Sequence, residues 1–232
     1  MKYISVAVDG PAGSGKSTIT KMVAEKLGYN YVDTGAMYRA ITYNFLNNDL
    51  KELNEEKVIK FLSTLKFDVK FIDKKQYVLI NGEDVSEKIR TAEVSKFTSL
   101  FAKSPAVREF LIDTQRNLAK SNNIIMDGRD IASVVLPNAD VKIFLTASVE
   151  ERARRRVLDF ERQGITDVNY EKVKEEIKAR DYQDENRDIA PLIKVDSAIL
   201  IDTTELTIDQ VVEKMIELIK FKINRRKTCI IL

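Results

Sequence analysis

Gly10-Pro11-Ala12-Gly13-Ser14-Gly15-Lys16-Ser17 fits the spacing G-x-x-x-x-G-K-[ST] without a mismatch, and Thr18 adds one more hydroxyl. This is the pattern of a loop that cradles phosphates. Its glycines let the backbone wrap closely enough for successive N–H groups to aim at phosphate oxygens. A helix starting inside the loop adds the positive end of its dipole. In such a loop Lys16 reaches the β and γ phosphates of a nucleoside triphosphate, and the Ser17 hydroxyl is the expected Mg²⁺ ligand. The bland alternative, a glycine-rich turn with no ligand, sits badly with the Lys-Ser ending and with the strand and helix that flank it.

The loop implies a bound triphosphate but not a reaction. The 232 residues include no histidine, which removes the usual general base and the commonest transition-metal ligand together. A kinase for a hydroxyl acceptor positions a carboxylate to take the proton. A phosphate acceptor differs, because its second pKa lies near ~6 and the attacking oxygen is already largely deprotonated at neutral pH. Such a reaction needs cations rather than a base, and this chain has many arginines near its predicted loops. No Asn-Lys-x-Asp segment is present, so a guanine-reading switch is excluded. Two alternatives stay open: a kinase for UMP or a phosphate-free metabolite, and a regulatory module that binds nucleotide without turnover.

The elements that must position these groups follow from periodicity. Tyr3 to Asp9 is a short β-favouring run, as in a strand covered on both faces. After it, Ile19, Met22, Val23 and Leu27 recur at helical spacing and Gly28 ends the segment. Tyr29 to Asp33 reads as a strand, and 36–47 and 55–65 read as helices. From about 65 to 95 the period becomes two, with Phe67, Val69 and Phe71 alternating with charged residues and an Asn81-Gly82 pair as the tight turn. Helices are expected over 91–103 and 105–120, and buried strands over 124–127, 141–145 and 198–202. Ser148-Val149-Glu150-Glu151 has the form of a capping box, and helices are expected over 169–186 and 207–221. The fold class is therefore α/β: a P-loop NTPase fold with a five-stranded parallel sheet flanked by helices, a small antiparallel β insert and a helical lid.

Composition narrows the class further. With 38 basic and 36 acidic residues the net charge is +2, too little for an overall pull toward nucleic acid or an anionic membrane. A single cysteine, Cys229, forbids an intrachain disulfide and fits a reducing compartment. The first nine residues are too short for a signal peptide, and no stretch could span a bilayer. A soluble, cytoplasmic monomer is expected, with no nucleic-acid or membrane partner.

Four further segments make the reading specific: Asp33-Thr34-Gly35-Ala36-Met37-Tyr38-Arg39; Gly82-Glu83-Asp84-Val85-Ser86 with Ile89-Arg90; Asp127-Gly128-Arg129-Asp130; and Arg180-Asp181 leading to Asp184-Glu185-Asn186-Arg187. Together with the P-loop they resemble the bacterial cytidylate kinase family from the first strand to roughly the final helix. The resemblance implies transfer of the γ-phosphoryl group of ATP to CMP or dCMP, giving CDP or dCDP and ADP. The antiparallel insert is similar to that family's enlarged monophosphate-binding region. By resemblance Thr34, Arg39 and Arg129 hold the acceptor phosphate, where an arginine fork suits the chemistry. The family usually has serine where this chain has Thr34. Ser99, Arg108 and Asp130 would read the cytosine edge, Arg180 and Asp184 would meet the ribose, and Arg187 would neutralise charge on the transferred group.

Arg152, Arg155 and Arg156 fall at i, i+3 and i+4 and share one helix face, whereas Arg154 points elsewhere and reads as solvated. The resemblance places this face over ATP, one arginine near adenine and the others on phosphates. Arg152 and Arg155 are assigned to ATP, and Arg156 joins Lys16 and Arg187 in the catalytic set. The implied division is one kinase domain: a core of 1–33, 104–151 and 188–223, a monophosphate-binding region of 34–103, a lid of 152–187 and a basic tail of 224–232. The tail reads as poorly ordered. Its last four residues, Cys229-Ile230-Ile231-Leu232, formally fit a prenylation box, but that processing is eukaryotic.

Overall fold

The computed structural model describes residues 3–162, 164–165 and 167–229, the side chains of 225–229 excepted. In chain order the elements are β1 (Ser5–Asp9), α1 (Lys16–Leu27), β2 (Asn30–Asp33), α2 (Thr34–Leu46), α3 (Glu55–Thr64), β3 (Phe67–Ile72), β4 (Lys75–Ile80), β5 (Glu83–Asp84), α4 (Ala92–Phe101), α5 (Pro105–Ser121) and β6 (Ile124–Gly128). A π-helical turn (Ile131–Val135) precedes β7 (Val141–Thr146), α6 (Val149–Arg162), α7 (Tyr170–Glu185), β8 (Ile199–Asp202) and α8 (Ile208–Cys229). The expected five-stranded parallel sheet is present, in the order β2-β6-β1-β7-β8, and a three-stranded antiparallel sheet runs β3-β4-β5. The chain divides into two compact units.

The second unit holds residues 5–27 and 125–232. Val6, Val8, Ile143, Leu145 and Ile201 are fully or nearly fully buried, as strands covered on both faces require. β1 pairs with β7 from Val6↔Val141 to Asp9↔Phe144, and β7 pairs with β8 from Ile143↔Ile199 to Thr146↔Asp202. Parallel pairing places the carboxyl ends of these strands on one edge, where α/β sheets bind ligands. α8 buries Val211, Val212, Met215 and Ile219, one face of a helix. α6 and α7 join through Ala153, Val173 and Ile177, with Val157 and Phe160 beside them.

The first unit holds residues 28–124 and the start of the chain. Its core joins Ala36 and Ala40 of α2 to Val78 and Ile80 of β4, with Val85, Ile89 and Val94. The Asn81-Gly82 pair makes the expected turn, both residues at positive φ (53° and 87°), and β5 follows directly. Side chains cap its helices: Asn54 for α3, Thr91 for α4, and Ser104 for α5 ahead of Pro105.

Two expectations need correction. Ser148 Oγ accepts from the Glu151 amide at 3.2 Å, but the reciprocal half of the capping box is missing, because Arg154 and Arg155 hold the Glu151 carboxylate and the Ser148 amide donates to Thr204 Oγ1. The last helix does not stop near 221 but runs to Cys229, so most of the basic tail is helical backbone. No glycine or proline interrupts 207–229, and its lysines and arginines are good helix formers. Ile230, Ile231 and Leu232, the rest of the formal prenylation box, lie outside the described residues.

Candidate active site

β1 ends at Asp9 and the chain enters the glycine-rich loop at once. A Cβ on Gly10 would lie 1.9 Å from the Leu145 carbonyl oxygen of β7, so only glycine lets the chain pass its neighbour there. Within the loop, Ser14 Oγ and Lys16 Nζ both donate to the Pro11 carbonyl, at 3.0 and 2.6 Å, and both side chains are buried. Burial pushes the Lys16 ammonium well below its ordinary 10.5, and the nearby Arg129 charge pushes the same way. Asp127, Asp9 and Asp184 pull in the opposite direction. Ser17 Oγ donates to Asp127 Oδ2 at 2.7 Å.

The second part of the site follows β6. Asp127 and Asp130 are buried. Arg129 donates from Nε to Asp184 Oδ2 of α7 at 2.7 Å and from Nη1 to its neighbour's carbonyl at 3.2 Å. Asp130 Oδ1 stands 3.6 Å from Arg187 Nη2, and Arg187 Nε donates to the Ala190 carbonyl. Asp9 is also buried, and its two oxygens accept the amides of Ile131 (2.8 Å) and Ala132 (2.7 Å). Burial raises the Asp9 carboxyl to about 6 despite those two bonds, and the Asp130 charge adds to the rise.

The arginines of α6 have different surroundings. Arg152 is buried, donating to the Ala147 carbonyl at 2.9 Å, the Ala12 carbonyl of the loop at 3.0 Å and Asp181 Oδ2 of α7 at 2.6 Å. Arg155 pairs with Glu151 at 2.8 Å and donates to the Thr203 hydroxyl and carbonyl just past β8, at 3.0 and 2.7 Å. Arg156 is exposed and stacks over Phe160, 4.6 Å from the ring centroid. Arg154 is 60% exposed and forms a bidentate pair with Glu151. With two arginines on it, Glu151 is held down to about 2. Arg180 is exposed on α7, one turn before Asp184.

The remaining predicted residues belong to the first unit. Arg39 pairs with Asp33 at 2.9 Å, and Asp33 also caps α2 through the Ala36 amide at 2.8 Å. A Cβ on Gly35 would come within 3.1 Å of both Asp33 Oδ1 and Arg39 Nη1, so glycine leaves room for this pair. Arg39 Nε is buried without a hydrogen-bond partner, and Thr34 beside it is buried. Arg108 is buried on α5, with Nη1 3.4 Å from the Ala102 carbonyl, while Ser99 is exposed on α4.

Lys16, Ser17, Arg129, Asp130, Arg152, Arg155, Asp184 and Arg187 are thus brought into linked clusters within one unit; the other unit holds Thr34, buried, and Arg39, paired with Asp33. Asp9 and Thr203 enter these clusters with no local motif to mark a partner on a distant strand or helix, and Asp181 and Glu151, read in a family segment and a capping box, enter as arginine partners. Asp127, the first residue of the segment that carries Arg129 and Asp130, is the residue bonded to Ser17. Among the described residues no three histidine, cysteine or acidic side chains gather as a metal cage, and no helix is long and apolar enough to cross a membrane.

A family model described as Cytidylate kinase matches residues 6–221. A protein named Cytidylate kinase from Caldicellulosiruptor saccharolyticus is 50% identical over 218 residues, covering 94% of this chain and 96% of its own. Its counterpart from Alkaliphilus oremlandii is 47% identical over 220 residues, covering 95% and 99%. Among solved structures, an uncharacterized protein from Eubacterium ventriosum superposes with a TM-score of 0.53 at 14% identity, covering 94% of this chain and 98% of that one. Shikimate kinase from Bacteroides thetaiotaomicron has a TM-score of 0.50 at the same identity and coverage. These two likenesses are of fold.

Proposed function

The chain belongs to the cytidylate kinase family and phosphorylates CMP with ATP, and we propose that it does so by in-line transfer between phosphates held by lysine and arginine, without a general base. The observation that carries this reading is the crowding of cations around the phosphate-binding loop. Lys16 and Arg129 are near one another, with Arg129 held by Asp184 at 2.7 Å and Arg152 bonded to the loop at Ala12, so a polyanion entering the loop meets several cations. Like charges held together in a buried place are costly unless a polyanion joins them. A phosphate acceptor arrives already deprotonated, so positioning and charge neutralisation suffice.

In this reading Lys16 and the loop from Gly10 to Thr18 take the triphosphate, Arg155 and Arg152 serve the ATP side, and Arg156 and Arg187 neutralise the transferred group. Thr34, Arg39 and Arg129 take the acceptor phosphate; Ser99, Arg108 and Asp130 take the cytosine; Arg180 and Asp184 take the ribose. Mg²⁺ fits the donor set, because a loop serine and a strand-terminal aspartate 2.7 Å apart are the usual pair. A lone carboxylate beside phosphates also suits an ion that keeps most of its waters. Ser17 and Asp127 would hold it, and it would supply positive charge against that of the phosphates. We assign the acceptor to 34–103 and the lid to 152–187, and take the enzyme to act as a cytoplasmic monomer on dCMP as well as CMP.

A coupled ADP-release assay over CMP, dCMP, UMP, AMP and shikimate tests the reading. CMP and dCMP should give the highest kcat/KM; turnover that prefers UMP or shikimate, or none with CMP, would overturn it.

A further inference from the structure

Asp9 has no role in the scheme above, yet it is a buried carboxylate at the end of a central strand. Burying an acid there is costly, and a well-packed apolar residue would avoid the cost. Both of its hydrogen bonds run to one place. Oδ1 accepts the Ile131 amide and Oδ2 the Ala132 amide, the first two residues of the π-helical turn, and neither bond goes to the phosphate-binding loop. Such turns are rare and concentrate at functional sites.

The residue before the turn is Asp130. An aspartate in that position ordinarily caps with its own side chain. Here it does not: its backbone lies at φ −141°, ψ 24°, it makes no side-chain cap, and its carboxylate faces Arg187 at 3.6 Å. Its carbonyl accepts from both Val134 (2.9 Å) and Val135 (3.1 Å), which ties its backbone to the turn. The cap comes instead from Asp9, 122 positions upstream of Ile131.

We propose that Asp9 is a positioning residue for the acceptor: by capping the π-helical turn it frees the Asp130 carboxylate to face Arg187 and fixes the backbone of Gly128-Arg129-Asp130. The inference rests on the reading of Arg129 and Asp130 as acceptor residues. Both Asp9 hydrogen bonds go to the segment after β6, whereas the loop that takes the triphosphate is held by bonds of Ser14, Lys16 and Ser17 and by Arg152 at Ala12.

Asp9→Asn keeps the shape but turns one of two acceptors into a donor aimed at an amide. A displacement of about 1 Å at the reacting groups costs on the order of 100-fold, so kcat/KM for CMP should fall about 100-fold while the Kd for ATP, measured by calorimetry, stays within about threefold. Asp130→Asn is measured alongside. If Asp130→Asn impairs CMP use and Asp9→Asn does not, the inference fails alone. If neither variant affects CMP, the underlying reading fails as well. A loss for Asp9→Asn that strikes ATP binding equally, or that occurs when Asp130→Asn is silent, also overturns the proposal. Should Asp9→Asn not fold, hydrogen exchange on the wild-type enzyme still decides: protected Ile131 and Ala132 amides before CMP is added support the cap, and amides that exchange freely until CMP binds refute it.

Discussion

Gly10→Ala is the sharpest test of how the site is built, because the geometry gives both its direction and its size. The added Cβ would sit 1.9 Å from the Leu145 carbonyl oxygen and 3.0 Å from its carbon, in backbone rather than a yielding side chain. β1 and β7 are locked in parallel register from Val6↔Val141 to Asp9↔Phe144, so neither strand can slide away without losing its ladder. Overpacking of this kind costs ~1–3 kcal/mol or more, and the positive φ of +150° adds strain of ~1–2 kcal/mol for a residue with a Cβ. At ~2–4 °C per kcal/mol for a chain of this size, the melting midpoint should fall by about 10 °C. Gly28→Ala supplies the control: its φ is +70° but nothing lies within 4 Å of the new Cβ, so only the strain of ~1–2 kcal/mol remains. Calorimetry on both variants, with KM for ATP from ADP release, separates the two effects. Equal shifts in midpoint, or an unchanged KM for ATP in Gly10→Ala, would refute the claim that this glycine is set by the strand beside it.

Arg187→Ala should lower kcat by about 10³-fold, the scale of an arginine that neutralises a transferred phosphoryl group, with a much smaller change in CMP affinity; an unchanged kcat would remove it from the chemistry. Asp9 gives a pH signature. Its carboxyl titrates at about 6 against an ordinary 3.8, so the folded state favours the protonated form. That stabilisation is complete below 3.8 and is lost as pH rises through about 6. A shift of this size is worth about 3 kcal/mol, with the Asp130 and Lys16 charges acting in opposite directions on it. Urea melts should show the wild type losing stability relative to Asp9→Asn between pH 4 and 7; parallel curves would contradict the shift.

The phosphate-binding loop was legible because its chemistry is local: eight consecutive residues carry the spacing, and a strand and a helix bracket them. The antiparallel insert was legible for the same reason, since period-two alternation and Asn81-Gly82 are near-neighbour signals. What escaped depends on pairs far apart in sequence. Nothing around Asp9 points to the Ile131 and Ala132 amides, and a π-helical turn has no hydrophobic period to betray it. Competition for partners was equally hidden. The capping box failed because Glu151 had two arginines within reach and Ser148 a threonine, a choice made by the approach of the segment after β8. Periodicity could put Arg152, Arg155 and Arg156 on one face, but not say that each would meet a different neighbour.

That difference decides which of the three is available to a ligand. Arg152 is held by two carbonyls and by Asp181 at 2.6 Å, with side-chain exposures of 5% and 13%. Breaking a buried pair of this kind costs ~3–5 kcal/mol, more than one phosphate contact readily returns. Arg155 would have to leave Glu151 and Thr203. Among the described residues Arg156 has only the Phe160 ring to leave, worth ~0.5–1 kcal/mol at an exposed site. We therefore propose that Arg156 carries the chemical role, and that Arg152 serves the ATP side indirectly, by fastening α6 to α7 and to the loop at Ala12. Arg152→Ala should lower the melting midpoint by about 10 °C at ~2–4 °C per kcal/mol, whereas Arg156→Ala should leave it within a few degrees and lower kcat. The reverse pattern, a stable Arg152→Ala with kcat lost and an Arg156→Ala with kcat kept, would show that the arginines exchange partners when ATP binds.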